Sequence, residues 1–242
     1  MKKVSVDIVV PVYNEEKILE KSISTLYKFL EKNFKYNWSI IIADNASIDR
    51  TLELAGSLSK KYKRVKVLHL NQKGRGRALR IAWIKSDADI VSYMDVDLST
   101  DLSFFPLMID SLVQGYDVAT GSRLMKGAEI KRSLKREILS RGYNVLVRLI
   151  LGVNYKDSQC GFKAVKREIV NDVVPEVRDN NWFFDSELLF RAHMKGYKIK
   201  EIPVKWIEDE DSRVRIFSTV TNYIKSIAVL RLEYLFTRKR KK

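Results

Sequence analysis

The chain has 242 residues, with 45 Lys and Arg against 30 Asp and Glu, for a net charge of +15. Its 45% hydrophobic content suffices for one large core. The single cysteine, Cys160, excludes an intrachain disulfide, and two histidines beside it exclude a zinc cluster of the usual kind.

Cysteine usage fits a reducing, cytosolic compartment, and no linker or fixed-period repeat divides the chain. The two lysines and apolar stretch at the start run directly into Asn14-Glu15-Glu16 with no small-residue cleavage site, so they read as a buried strand rather than a secretory signal. Val4–Val12 is that strand, a near-continuous β-branched run. Leu19, Ile23, Leu26 and Leu30 then recur at helical spacing and predict a helix over about Glu15–Asn33. Trp38–Ala43 reads as a second strand, Ala46–Asp49 as a turn, Arg50–Lys61 as a helix and Val65–Leu70 as a third strand. Lys73–Arg77 is a glycine-bearing turn leading into a helix that reaches about Lys85, and Asp89–Met94 is a fourth strand. Beyond Ser122 the chain reads as basic and helical. Ile216–Phe236 presents Phe217, Val220, Ile224, Ile227 and Leu230 as a broad apolar face, followed by a polybasic end, Arg238–Lys242. No segment offers the roughly 18 to 20 apolar residues that span a bilayer.

Strands alternating with helices predict a mostly parallel sheet with helices on both faces, an α/β fold that binds ligands beyond the carboxyl ends of its strands. Polar clusters stand at those ends: Tyr13-Asn14-Glu15, Asp44-Asn45, Asn71–Arg77 and Asp95–Ser99. Asp95 and Asp97, at i and i+2 just past an apolar strand, can address one rim site, and hard oxygen ligands suit Mg²⁺ or Mn²⁺. An ordinary acidic turn is the competing reading of that pair. Asn71–Arg77 lacks both the Gly-Lys-Ser/Thr of a Walker loop and the third glycine of a dinucleotide fingerprint, so it is either a pyrophosphate cradle or a plain turn. The run Arg123, Lys131, Arg132, Lys135, Arg136 and Arg141 is either a solvated face or a set of cations facing phosphate. Nucleic acid is disfavoured as its partner, because no helix-turn-helix, zinc-finger or RNP pattern accompanies it.

In order, Val9-Val10-Pro11-Val12-Tyr13-Asn14-Glu15, Ala43–Thr51, Lys73-Gly74-Arg75-Gly76, Asp95-Val96-Asp97 and Gly121-Ser122-Arg123 resemble the motifs of family 2 glycosyltransferases of the GT-A fold. Within that family the chain is most similar to the dolichyl-phosphate sugar synthases, on Asp97–Thr100, Leu139–Asn144, Asp157–Lys163, Phe184–Leu189 and Ile202–Trp206. Ser99 at a place where the mannose branch usually has Gln favours the glucose branch. The chain departs from the family at Asp44-Asn45-Ala46-Ser47, where Asp-Asp-Gly-Ser is usual, and at Ser212-Arg213-Val214, where Ser-Lys-Val is usual.

The resemblance implies a GT-A domain over residues 1–215, with a nucleotide-sugar half over about 1–125 and an acceptor half over 126–215, and an amphipathic helix with basic tail over 216–242. It implies donor contacts from Pro11, Tyr13, Glu15, Asp44, Lys73, Asp95 and Asp97, and a Mg²⁺ or Mn²⁺ held by Asp97 with Ser99 and Asp95. Arg123, Arg136, Ser140 and Arg213 would line the meeting place of two phosphates, with Asp185 as an orienting group. The implied reaction is inverting hexose transfer from UDP-glucose or GDP-mannose to polyprenyl (dolichyl) phosphate, with glucose the first reading and mannose the second. A GT-A transferase acting on a saccharide hydroxyl, with Asp185 as base, is a further alternative. The charge and absence of a spanning segment imply peripheral attachment to an anionic membrane surface, on its cytoplasmic face. Nothing in the sequence sets the oligomeric state.

Overall fold

The computed structural model describes residues 3–207 and the backbone of 216–239, with side chains over 223–236 of that last stretch. The first half follows the periodicity closely. In chain order it runs β1 (Ser5–Val12), α1 (Leu19–Asn33), β2 (Asn37–Asn45), α2 (Thr51–Lys61), β3 (Val65–Leu70), α3 (Arg75–Lys85), β4 (Ile90–Met94), α4 (Phe105–Val113) and β5 (Val118–Ser122). Helix α1 starts later than its apolar spacing suggests, because Asn14 takes a left-handed conformation (φ 55°) and the Glu15 carbonyl accepts the N–H groups of Ile18 and Leu19.

The second half differs from its basic, helical reading. It holds β6 (Glu129–Lys131), α5 (Leu134–Leu151), β7 (Phe162–Lys166), α6 (Arg167–Asp172), α7 (Phe184–Met194), β8 (Ile199–Pro203), β9 (Lys205–Ile207) and α8 (Ile216–Lys239). Lysines at 163, 166, 200 and 205 mask these short strands from a reading by hydrophobicity.

Among the described residues the main sheet has the order β3-β2-β1-β4-β7-β5-β8, with β6 and β9 forming a small parallel pair. β7 runs antiparallel to both β4 and β5, and the remaining pairs of the main sheet are parallel. The chain winds outward from β1 to β3, then returns to place β4 on β1's other side. That reversal opens a crevice at the carboxyl ends of β1 and β4.

Both faces of the sheet are covered. Val6, Ile8, Val10 and Val12 of β1 point into a core with α1, α2 and α4, while Val9 joins Val91 in a core with α3, α5, α6, α7 and α8. Trp83 of α3 is fully buried there and meets Phe184 edge to face at 5.9 Å. Burying such rings contributes most of the sheet–helix adhesion, about 25 cal/mol for each Å² removed from water.

Helix α8 is apolar on two sides rather than one. Ile227 and Leu230 are buried against the core, whereas Val229, Leu232 and Phe236 point outward and are exposed. Phe217 and Val220, counted with its apolar face on sequence, have side chains outside the described residues, as does the basic tail from 240 on. No described helix is long and apolar enough to cross a membrane.

Among the described residues, the non-glycine residues with positive φ are Asn14 (55°), Ala46 (61°) and Leu98 (52°). They follow β1, β2 and β4, so backbone strain is concentrated on the carboxyl rim of the sheet. Ala46 carries a Cβ at φ 61°, and a Cβ in this region costs about 1 to 2 kcal/mol. Replacing it should relieve that strain, partly offset by the greater freedom of glycine in the unfolded chain. Ala46→Gly is expected to raise unfolding stability by roughly 0.5 to 1 kcal/mol, read from the urea midpoint at unchanged slope.

Candidate active site

The rim is stitched together by hydrogen bonds between successive loops. The Asn14 N–H donates to Ser47 Oγ (3.0 Å), and the Ile48 N–H donates back to Asn14 Oδ1 (2.9 Å). The Glu15 N–H donates to Thr51 Oγ1 at 2.8 Å. Asn45 accepts the Gly74 N–H at 2.6 Å and so ties the end of β2 to the glycine turn. Lys73 at the head of that turn places Nζ 3.6 Å from the centre of the Tyr13 ring. Pro11 is the penultimate residue of β1, and Asp44, penultimate in β2, is buried.

The glycine turn enters α3 against the 179–181 segment. A Cβ on Gly76 would stand 2.8 Å from the Asp179 carbonyl oxygen and 2.8 Å from Phe184 Cβ, so only glycine fits. This close approach buries the next functional side chain, Arg75, on which sequence reasoning placed no role. Its Nη2 donates to Asp95 Oδ1 (2.7 Å) and its Nη1 to Asp185 Oδ2 (3.0 Å), while its guanidinium lies over the rings of Tyr93 (4.9 Å) and Trp182 (4.8 Å).

Asp185 sits at the N-terminal turn of α7 and is 2% exposed. Its Oδ1 accepts from the Tyr93 hydroxyl and lies 3.2 Å from Lys163 Nζ. Burial alone would raise the Asp185 carboxyl, but Lys163 and Arg75 outweigh it and hold it below the usual carboxylate range. With both oxygens engaged and its proton affinity lowered, Asp185 is poorly suited to act as a base and well suited to fix Arg75 and Lys163.

The other oxygen of Asp95 lies where a side chain on Gly161 would be: a Cβ there would stand 1.8 Å from Asp95 Oδ2. Gly161 therefore makes room for the carboxylate, and the 157–163 block acts on the rim through space as well as through charge. Asp97 accepts the Ser99 N–H at 2.9 Å. Asp95, Asp97, Ser99, Gly161 and Trp206 line one pocket. Trp206 reaches it because β9 pairs with the 99–101 segment, through Asp101 N–H to the Lys205 carbonyl and Ile207 N–H to the Ser99 carbonyl. Arg123 and Arg132 lie over the Trp206 ring at 5.6 and 5.9 Å.

The cationic run is less open than its sequence suggests. Arg123 makes a bidentate pair with buried Asp157, Nε to Oδ2 at 2.7 Å and Nη2 to Oδ1 at 3.0 Å. Arg132 and Arg141 both pair with Glu137. Arg136 and Ser140 stand on the first turns of α5, and the Ser140 hydroxyl is buried with no described hydrogen-bond partner. Arg213 lies outside the described residues.

Behind the pocket, three distant stretches meet. Ser158 donates to Asn144 Oδ1 through its N–H (2.9 Å) and hydroxyl (3.0 Å), Ser186 Oγ donates to Ser158 Oγ (3.1 Å), and Tyr143 Oη contacts Ser186 Oγ (2.8 Å). α5, the 157–163 block and α7 are thereby locked to one another.

Residues 7–174 match the profile described as glycosyl transferase family 2. The chain belongs to this family. It is 37% identical over 214 residues to the glycosyltransferase AglD of Haloferax volcanii, covering 87% of this chain and 34% of that protein, so it spans about a third of that relative's length. It is 31% identical to the dolichyl-phosphate beta-glucosyltransferase of Dictyostelium discoideum, covering 94% of this chain and 74% of the relative. The Homo sapiens protein of the same name is 32% identical, with 94% and 75% covered. Among solved structures, glucosyl-3-phosphoglycerate synthase from Mycobacterium tuberculosis in complex with Mn²⁺ and UDP-glucose superposes with a TM-score of 0.70 at 16% identity, covering 95% of this chain and 79% of that one. This likeness establishes the GT-A fold.

Burial would raise the Asp157 carboxyl, but Arg123 pulls it from 3.8 to about 2. Because the folded pKa is depressed, the pair contributes in full above pH 4 and its contribution is lost as pH falls toward 2. The wild-type chain should therefore lose stability, by about 2 kcal/mol on this account, between pH 4 and pH 2. Asp157→Asn should start roughly 3 kcal/mol less stable, with Arg123 buried and unpaired, and show a flatter acid limb in pH-dependent urea unfolding.

Proposed function

We propose that the chain transfers a hexose, glucose in the first reading, from a nucleoside diphosphate sugar to the phosphate of a polyprenyl (dolichyl-type) lipid, with inversion at the anomeric carbon. The observation that carries this reading is the rim pocket. It is lined by Asp95 and Asp97 together with Trp206, the ring that carries Arg123 and Arg132. The names of the Dictyostelium and human relatives support the lipid phosphate acceptor and the glucosyl group.

Each part of the rim has a task under this reading. Pro11, Tyr13, Glu15 and Asp44 contact the nucleoside, and Lys73, held over the Tyr13 ring, faces the diphosphate. Asp95 and Asp97 supply only hard oxygen donors, and among the described residues no third His, Cys, Asp or Glu joins them. That set fits Mg²⁺ or Mn²⁺, which keep waters and take phosphate oxygens as ligands. Asp97 and Ser99, with Asp95, would hold the ion, which when bound stabilises the charge of the departing nucleoside diphosphate.

Arg136, Ser140 and Arg213 receive the acceptor phosphate together with Arg123, which Asp157 holds in a bidentate pair. A phosphate monoester is largely dianionic at pH 7, with a second pKa of about 6. The attacking oxygen therefore needs no base, which agrees with an Asp185 whose oxygens are occupied by Arg75, Lys163 and Tyr93. The residues' main work is to offset repulsion between two anions.

Peripheral attachment at the cytoplasmic face of a membrane is part of the proposal. Leu134, Ile138 and Leu149 form an exposed stripe on α5, and α8 exposes Val229, Leu232 and Phe236. Apolar side chains among an excess of Lys and Arg suit an anionic interface. In this reading residues 1–125 carry the donor side, 126–215 the acceptor side, and 216–242 contribute to membrane contact.

The test supplies the full chain with polyprenyl phosphate, Mg²⁺ or Mn²⁺, and labelled UDP-glucose or GDP-mannose in separate reactions. Label is expected in the organic-extractable lipid with UDP-glucose. Label only from GDP-mannose would move the sugar assignment, and label from neither, in a protein that binds nucleotide, would refute a lipid phosphate acceptor. Asp97→Ala is expected to reduce transfer at least 100-fold, and a variant with near-normal turnover would remove Asp97 from metal binding.

A further inference from the structure

Asp44 and His69 are register partners on the adjacent parallel strands β2 and β3, so both side chains rise from the same face at the carboxyl rim. Asp44's partner on the other side, in β1, is Val12, which cannot hydrogen-bond through its side chain. His69 Nδ1 lies 2.7 Å from Asp44 Oδ2. An ionised carboxylate has only acceptor sites, so Nδ1–H donates. The Asp44 side chain is wholly buried (0%), His69 is 39% exposed, and Asp44 Oδ1 has no hydrogen-bond partner among the described residues. A buried carboxylate oxygen in that state is stabilised by any donor that reaches it.

We propose that His69 is a positioning residue for nucleobase recognition. By holding Oδ2 it aims Oδ1 at a ring N–H of the donor's base, and so sets a preference for bases that carry this proton over bases that do not. Uracil offers N3–H at this edge and guanine offers N1–H, whereas cytosine presents an unprotonated N3 whose lone pair meets the carboxylate. A site built to accept a ring N–H rejects an analogue lacking it, because the buried oxygen is then left unpaired. The inference rests on the reading above that Asp44 contacts the nucleoside, and it adds the residue that orients Asp44 and the selectivity that follows.

Among the described residues, His69 is the side chain that hydrogen-bonds the Asp44 carboxylate. The next residue, Asn45, is committed to the Gly74 N–H. Removing the His69 donor leaves Asp44 with two unsatisfied oxygens and no fixed orientation, so the loss falls on base selectivity before it falls on chemistry.

The experiment titrates the full chain with UDP, GDP and CDP in the presence of MnCl₂, by calorimetry, for wild type, His69→Phe, His69→Gln, Asp44→Ala and the Asp44→Ala/His69→Phe double variant. Wild type is expected to bind UDP at least tenfold more tightly than CDP. His69→Phe should weaken UDP by about tenfold and leave CDP nearly unchanged, so that the ratio approaches one. It should raise KM for UDP-glucose by the same factor and hold kcat within about twofold. His69→Gln, whose amide can donate, should retain most of the UDP affinity. The double variant should bind UDP no more weakly than Asp44→Ala alone, since His69 acts through Asp44. A wild type that prefers GDP, with the preference over CDP lost in His69→Phe, supports the same role with guanine as the base. Equal loss of UDP and CDP affinity, or unchanged UDP affinity in both His69 variants, overturns the inference alone. A folded wild type that binds none of the three overturns the nucleotide-sugar reading and this inference together.

Discussion

The rim depends on a buried charge node. Arg75 and Lys163 supply the cations, Asp185 and Asp95 the carboxylates, and Tyr93 a hydroxyl, with Asp185 and Lys163 almost entirely excluded from solvent. Each buried ion costs several kcal/mol to desolvate, and only close, multiple contacts return that cost. The node gathers the first residue of α3, the end of β4, the second residue of β7 and the first turn of α7. Removing Asp185 takes from buried Lys163 its carboxylate and leaves Arg75 with Asp95 alone, so the node fixes the relative placement of these four elements. Asp185 also lies at a helix N-terminus, where the backbone dipole favours a negative group. The Asp95 carboxylate is the member that reaches the pocket, and it is held from below by Arg75 and given room by Gly161.

Strain and stitching complete the node. Asn14, Ala46 and Leu98 hold left-handed conformations just beyond β1, β2 and β4. Such positions persist only where surrounding contacts over-determine them. Here Ser47, Thr51 and Asn14 do so across two loops, and Asn45 adds the glycine turn. The rim is therefore arranged before any ligand arrives, which is the condition for electrostatic groups to act without reorganising.

Much of this was legible in the sequence and some was not, for identifiable reasons. β1, β2 and β4 announce themselves as apolar runs and α1 by its spacing, because each faces a core on a regular period, while α3 is marked by the glycine turn that leads into it. β7 does not, since its second residue, Lys163, is a charge that the sheet tolerates only beside Asp185, 22 positions later in the chain. Arg75 reads as one cation in a polar turn until α7 brings Asp185 to it across 110 residues. Arg123 reads as a phosphate ligand by its neighbours in sequence, yet its strongest partner, Asp157, is 34 residues away. The block from Asp157 to Lys163 carried the family resemblance with no role attached. Its residues act by pairing, by tying α5 to α7, and by leaving space at Gly161, none of which leaves a periodic trace. Charge patterning reveals where cations cluster, but not which of them are already neutralised.

That last distinction bears on how the excess charge of +15 is used. Arg75, Arg123 and Lys163 are buried with carboxylate partners, so they hold the architecture and contribute little field outside it. Other cations, such as Lys126 and Lys131, are exposed, and charge of that kind raises the local concentration of anions. For the proposed transfer between two phosphate-bearing substrates, both kinds of cation have a task. The fixed kind orients the carboxylates and the pocket wall, and the exposed kind lowers the repulsion as the second anion approaches. Because a phosphate acceptor arrives already deprotonated, no residue must be kept neutral and basic between them. The best-placed carboxylate for that task, Asp185, is accordingly free to serve as the counter-ion on which the rest of the rim is built.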